Sequence, residues 1–239
     1  MDFGDGRTTL LACALVATWW TGPSQRRIFS SVLVYNRNYQ RWTNLAVICR
    51  HQSHPLGYVR SLWHSPSSDP KHKYRIRDLP RDCGESLSAL RNLHNLTLHN
   101  TKIEHIGEEE FRACFSAFRE TLTYLSLESF ATSFSAFVTL VDYFPNITTL
   151  RLHSFDLEPD EGPVPTLSHP LRGEVQVRTK TESNCLEFLD RFAKLDLEYE
   201  RLVIFPSSTS LEETLLKSAL RISASTIKFL RLAAVPRCE

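Results

Sequence analysis

The chain has 239 residues, of which 42% are apolar and 23% charged, with 8 glycines and a formal net charge of +1. This balance excludes a disordered, collagen-like or Gly-rich linker protein and gives no whole-face electrostatic reason to bind nucleic acid or an anionic membrane. The length suffices for one large domain, or one domain with a small appendage, and for a substantial core.

Residues 8–29 come first. Leu11, Leu15 and Val16 fall on one helical face, and the helix is expected to stop near Gly22 and Pro23. Leu10 to Ala17 is the longest apolar run; even with Trp19 and Trp20 it falls well short of the ~20 residues of a membrane-spanning helix. As a signal peptide it has the wrong flank, because Asp2, Asp5 and Arg7 make an acidic start and no small-x-small cleavage site follows. S-V-L-V-Y from Ser31 to Tyr35 reads as a strand, and V-R-S-L-W-H-S from Val59 to Ser65 as another. Lys71, His72, Lys73, Arg75 and Arg77 form a basic run behind Pro66 and Pro70, the composition of a solvated loop.

From Leu93 to Ile103 the chain reads L-H-N-L-T-L-H-N-T-K-I, which is L-x-x-L-x-L-x-x-N-x-L with one residue fewer before Asn100. The shape recurs as L-T-Y-L-S-L-E-S (Leu122, Leu125, Leu127, Ser129) and as I-T-T-L-R-L-H-S (Ile147, Leu150, Leu152, Ser154). Weaker copies hold Val175 and Val177, then Leu202 and Ile204, then I-K-F-L-R-L-A-A from Ile227 to Ala234. The central apolar positions are 62, 96, 125, 150, 175, 202 and 230, so the steps are 34, 29, 25, 25, 27 and 28. Val32 lies 30 residues before Leu62. Most steps fall in the ~20–29 range of leucine-rich repeats.

Helical stretches are expected between the strands. Glu108–Arg119 spaces Phe111, Cys114, Phe115 and Phe118 at i, i+3, i+4, i+7, and Ser133–Phe144 does the same with Phe134, Phe137, Val138 and Val141. Ser183–Ala193 carries Leu186, Leu189 and Phe192 behind Ser183 as N-cap, and Ser210–Ile222 opens with a capping box of Ser210 and Glu213. Such strand–helix units cannot bury their apolar sides alone; stacking closes a continuous core. The Asn or Ser after each strand is placed to bond the backbone of the next turn. The fold class expected is therefore α/β: a leucine-rich-repeat-like solenoid of about seven irregular strand–helix repeats over residues 31–239, behind a short helical cap at 1–30.

Chemistry-bearing motifs are missing from the sequence. There is no G-x-S-x-G, P-loop or G-x-G-x-x-G, and the nine histidines do not take H-x-x-x-H spacing on an expected helix. Cys13, Cys49, Cys83, Cys114, Cys185 and Cys238 form no C-x-x-C pair or zinc spacing and read as reduced, buried thiols of an intracellular protein. Asp156, Glu158, Asp160 and Glu161 lack the glycine of a calcium loop and read as an exposed connection. The sequons at Asn95 and Asn146 start expected strands. The reading is of a non-enzymatic chain with no cofactor and no metal.

The stretch L-L-A-C-A-L-V-x-x-x-W followed by P-S-x-R-R-x-F resembles the second half of an F-box, as found in F-box-like, leucine-rich-repeat-like proteins of mushroom-forming fungi. H-P-L-G-Y-V-R-S-L, N-I-T-T-L-R-L, T-L-S-H-P-L-R-G and F-L-D-R-F-A-K-L-D-L-E-Y-E are similar to the same family, in the same order. The family's opening L-P-x-E-I helix has no counterpart, so the F-box is expected to be N-terminally truncated. Ala17 and Thr18 stand where the family has a Cys and a basic residue, and Trp20 aligns with the family's Trp. The chain ends at Glu239, just past a strand and without an obvious cap. The resemblance implies a substrate receptor of a Skp–cullin–F-box ubiquitin ligase in the cytoplasm or nucleus. Leu11, Leu15, Val16 and Trp20 would contact a Skp-type adaptor, and the repeats would hold a protein substrate.

In an x-L-x-L-x strand the leucines face the core and the x positions face solvent. The outward positions are Ser61, Trp63, Thr97, His99, Tyr124 and Ser126, then Glu128, Arg151, His153, Gln176, Arg178 and Arg231. Trp63, His99, Tyr124, Glu128, Arg151, His153 and Arg178 are the candidate partner-binding residues of this concave face, with Trp, Tyr and Arg the types enriched at hot spots. The alternatives are a scaffolding or truncated repeat protein with no ligase contact, and a secreted repeat protein, which glycans on Asn95 or Asn146 would mark.

Overall fold

The computed structural model describes residues 18–35, 56–65, 74–76, 84, 86–104, 109, 115–160, 165–178, 182–195, 197–205 and 228–232. Leu11, Leu15, Val16, Phe111, Cys114, most of the basic run and the Ser210–Ile222 helix lie outside them, as does the side chain of Trp20.

The chain is a mixed α/β structure in which every pairing among the described strands is parallel. The larger sheet has eight strands in chain order: β1 (Ser31–Tyr35), β2 (Ser61–Ser65), β4 (Asn95–His99), β6 (Tyr124–Glu128), β8 (Thr149–His153), β10 (Leu171–Arg178), β11 (Leu197–Phe205) and β12 (Phe229–Leu232). Its register aligns the central apolar residues on neighbouring strands: Val32, Leu62, Leu96, Leu125, Leu150, Val175, Leu202 and Leu230. Leu62, Leu96, Leu125, Leu150, Val175 and Leu202 are buried. Because side chains alternate along a strand, one register places all of them on the same face. Burying each contributes about 2 kcal/mol.

A second sheet follows directly from the first. The residues after β4, β6 and β8 are Asn100, Ser129 and Ser154, with φ of 53°, 52° and 56°. Left-handed backbone is tolerated by Asn more readily than by most residues and costs Ser more. Here each turned amide donates to the next main strand: Asn100 N–H to Glu128 O at 2.8 Å, Ser129 N–H to His153 O at 2.8 Å, Ser154 N–H to Arg178 O at 2.7 Å. The corner re-aims the chain into the short strands β5 (Thr101–Ile103), β7 (Ala131–Ser133) and β9 (Asp156–Glu158), which with β3 (Tyr74–Arg75) form a four-stranded sheet. The strand reading of Leu93–Ile103 thus splits at Asn100, and β3, β7 and β9 had no counterpart in the sequence reading. Asp156–Glu158 is a strand instead of an open connection. Asp160 is anchored as well, because its carboxylate accepts from Ser135 N–H at 2.6 Å.

Three longer helices lie among the described residues. The first, α1 (Thr18–Phe29), runs straight through Gly22 and Pro23, where a stop was expected. An interior proline costs about 3 kcal/mol. Tertiary contact opposes that cost: Ser24 and Ile28 are buried and α1 packs on β1. Arg26 and Arg27 in its last turn suit the negative end of the helix, and Ser30 Oγ–H donates to Arg27 O at 2.9 Å. The second, α2 (Phe134–Asp142), is the helix expected over Ser133–Phe144. Ser133 caps it, accepting from Ala136 N–H at 3.3 Å, and Phe134, Phe137, Val138 and Val141 are buried. The third, α3 (Glu182–Phe192), starts one residue before Ser183, so Ser183 lies in its first turn and is not the cap. Leu189 and Phe192 are buried while Leu186 is half-buried, and Cys185 is buried. Phe115 and Phe118 are buried beside a 3-10 turn at Ser116–Phe118. Strand and helix do not alternate regularly: residues 165–170, ahead of β10, are irregular.

Between the sheets and helices runs a line of aromatic rings. Phe130 and Phe155, each one residue past a left-handed corner, stack at 5.4 Å; Phe155 meets Phe188 at 5.1 Å, Phe188 meets Phe192 at 5.1 Å, and Phe192 meets Tyr199 at 5.7 Å. Such pairs are worth about 1 kcal/mol beyond burial.

The register between β10 and β11 slips at Gly173, where Glu200 is the extra residue. Gly173 has φ 86°, and a Cβ there would lie 2.1 Å from Thr148 O. Both conformation and space demand glycine. Gly173→Ala is expected to lower the urea unfolding midpoint by an amount corresponding to at least about 2 kcal/mol, whereas Gly84→Ala, at a helical position with open space around it, is expected not to lower the midpoint.

Candidate functional site

Alternation leaves three rows of side chains on the outward face of the eight-stranded sheet, one per odd position of the strands. The central row aligns Leu33, Trp63, Thr97, Ser126, Arg151 and Gln176, and continues to Val203 and Arg231. The row nearer the strand starts aligns Ser61, Asn95, Tyr124, Thr149, Glu174 and Arg201. The row nearer the strand ends aligns His99, Glu128, His153, Arg178 and Phe205. Every expected outward residue takes its place in one of these rows. Ser126 is the exception in exposure: it is only 1% exposed, because its short side chain lies between Thr97 and Arg151 and donates along its own strand to Glu128 Oε1 at 3.2 Å.

The rows divide into two halves of different chemistry. Toward β1, Leu33 and Trp63 are 51% and 47% exposed and adjacent in register. Beside them is an open groove of about 230 Å³ whose walls include Ser61, Asn95, Thr97 and Tyr124. Asn95 Nδ2–H donates to Ser61 Oγ at 2.9 Å, which fixes the groove floor and also engages one of the sequon amides. The other sequon residue, Asn146, donates to Glu120 O at 2.8 Å.

Toward β12 the face is charged. Arg151 lies over the Tyr124 ring with its guanidinium carbon 5.5 Å from the centroid, an arrangement that joins the two halves. Arg201 Nη1–H donates to Glu174 Oε2 at 3.2 Å and sits 4.8 Å over the Phe229 ring. Burial pushes the Glu174 carboxyl up. Hydrogen bonds from Gln176 and Arg201, with the charges of Arg201 and Arg151, outweigh it and hold the group below the usual carboxylate range. Burial holds the His153 imidazole below its ordinary value, against the pull of Glu128 and with the push of Arg151 and Arg178. His153 is therefore neutral near pH 7.

Sequence reasoning overlooked Leu33, Glu174, Arg201 and Phe229 on this face. Leu33, Arg201 and Phe229 follow from the parity of Val32, Leu202 and Leu230. Among the described residues no three His, Cys, Asp or Glu side chains come together to hold a metal ion, and no helix is long and apolar enough to cross a membrane.

The inward row beside the site holds one surprise. Val34, His64, Leu98, Leu127, Leu152, Val177 and Ile204 align, so an imidazole stands where every neighbour is aliphatic. His64 is 1% exposed, and burial lowers its pKa from 6.5 to about 4. The unfolded chain takes up this proton near pH 6.5 and the folded chain only near pH 4, so stability falls as pH drops through that window, by about 3 kcal/mol in all. His64→Leu is expected to flatten the fall in urea midpoint between pH 7 and pH 4.5; an equal fall in both proteins would place the acid sensitivity elsewhere.

The chain matches no protein-family model, and neither a curated protein nor a solved structure matches it.

Proposed function

We propose that the chain is a non-enzymatic protein-interaction module, a leucine-rich-repeat-like solenoid that holds a protein partner on the outward face of its eight-stranded sheet. The observation that carries this reading is the exposed pair Leu33 and Trp63, adjacent to the Tyr124–Arg151 contact. Large apolar side chains held on a sheet by paired strands lose little freedom on binding. Covering Trp63 removes apolar surface worth roughly 1–2 kcal/mol from water. Trp, Tyr and Arg within a few strands of one another form a hot-spot composition. The alignment of Leu62, Leu96, Leu125, Leu150, Val175, Leu202 and Leu230 supports the repeat reading, as do the left-handed corners at Asn100, Ser129 and Ser154.

The F-box-like stretch extends the proposal: the module is a substrate receptor of a Skp–cullin–F-box ligase working in the cytoplasm or nucleus. Leu11, Leu15, Val16 and Trp20 face a Skp-type adaptor.

The face is tested by replacing Tyr124 and Arg151 with Ala. Capture of the protein partner that the parent chain retains is expected to fall at least about tenfold, with the far-UV circular dichroism unchanged; undiminished capture by a folded variant overturns the reading. Ligase membership is tested separately, by co-expression with a Skp-type adaptor. The two chains are expected to co-purify and to separate on Leu15→Asp, and a folded parent chain that emerges alone removes the ligase from the proposal.

A further inference from the structure

The outward face carries more positive charge than the chain as a whole, and it is placed at one end. The entire chain has a net charge of +1, yet the three rows hold Arg151, Arg178, Arg201 and Arg231 against Glu128 and Glu174. Glu174 is neutralised by Arg201 at 3.2 Å. Among the described residues, Arg151, Arg178 and Arg231 have no carboxylate at ion-pair distance, and Arg178 and Arg231 are exposed. The central row contains no carboxylate anywhere along its length. It runs from Leu33 and Trp63 at the apolar end to Arg231 at the cationic end.

We infer that the partner segment is an extended acidic peptide with an apolar anchor, lying across the strands along the central row. The anchor occupies the groove beside Trp63, and the acidic side chains lie over Arg151 and Arg231, with Arg178 flanking them from the row nearer the strand ends. This deepens the reading of the face as a partner-binding surface and rests on it. Strands spaced ~4.8 Å apart put Arg151 about 14 Å and Arg231 about 29 Å from Trp63. An extended chain rises about 3.4 Å per residue, so the acidic positions begin about four residues from the anchor and end about nine residues from it. Nucleic acid fits less well, because Glu128 and Glu174 lie among the arginines and no Lys shares the three rows.

The test uses fluorescein-labelled peptides carrying a leucine, a short Gly-Ser spacer and a glutamate tract, made in both chain directions, with glutamine-tract analogues, and read by fluorescence anisotropy. At low salt one direction of the glutamate peptide is expected to bind at least about tenfold tighter than its glutamine analogue, an advantage that salt screens. Charge reversal at Arg151, Arg178 and Arg231 together, or the milder Arg→Gln set, is expected to erase that advantage, while Trp63→Ala weakens both peptides alike. Equal binding of glutamate and glutamine peptides, both weakened by Trp63→Ala, overturns the acidic partner and leaves the binding face standing. Binding of neither peptide, or binding that no substitution alters, overturns the inference as well. So does tighter binding of a uridine oligonucleotide, or a dimer in sedimentation that Trp63→Ala dissolves, which assigns the face to a second copy.

Discussion

One in-register line of aliphatic side chains, from Val32 through Leu62, Leu96, Leu125, Leu150, Val175 and Leu202 to Leu230, organises the molecule. In a parallel sheet a slip of one residue would turn a strand's whole apolar set outward. The line therefore does two things at once. It closes the core on one side, and it dictates which residues stand on the other. Trp63 is exposed and the half-buried Arg151 points outward because Leu62, Leu150 and Leu152 are buried beside them.

The corners at Asn100, Ser129 and Ser154 give this line its depth. A strand that continued straight would leave the apolar residues beyond it without a partner layer. Turning through left-handed backbone costs about 1 kcal/mol or more at a non-glycine residue. Each turn is met by an amide bond to the next main strand and delivers Thr101, Phe130 or Phe155 into the interior, where each is buried. The phenylalanines then link β-structure to α3 through Phe188 and Phe192. Asp160 joins the same arrangement from outside: it accepts from Ser135 N–H at the positive end of α2 and lies 3.9 Å from Arg191 of α3. Contacts of this kind are individually modest, and together they tie α2 and α3 to the residues just past β9.

The outward face is graded in chemistry, apolar and hydroxyl-rich at β1 and β2 and cationic toward β12, where Arg201 lies over the exposed Phe229 ring. The Arg151–Tyr124 contact sits at the boundary and holds both side chains in place before any partner arrives. Preorganisation of this sort lowers the entropy lost on binding. Glu174 is held ionised by Gln176 and Arg201, so this carboxylate is already partnered by one of the sheet's own cations.

Much of this was legible in the linear chain. The alternation in N-L-T-L-H, Y-L-S-L-E and T-L-R-L-H determined strands, faces and the candidate residues, because strand periodicity is a local property that tertiary packing has no reason to override. Ser133 at the head of α2 was legible for the same reason: a cap acts within four residues. Tertiary structure decided what depends on distant partners. Gly22 and Pro23 break helices locally, yet α1 passes through them because Ser24 and Ile28 gain burial. The acidic residues from Asp156 read as a solvated loop, yet they form β9 and anchor α2, since strand pairing and helix ends came within reach only on folding. His64 looked like one residue of a worn strand; only its alignment with Leu98 made it a buried imidazole. The order of residues set each side chain's direction, and the stacking of strands set its surroundings.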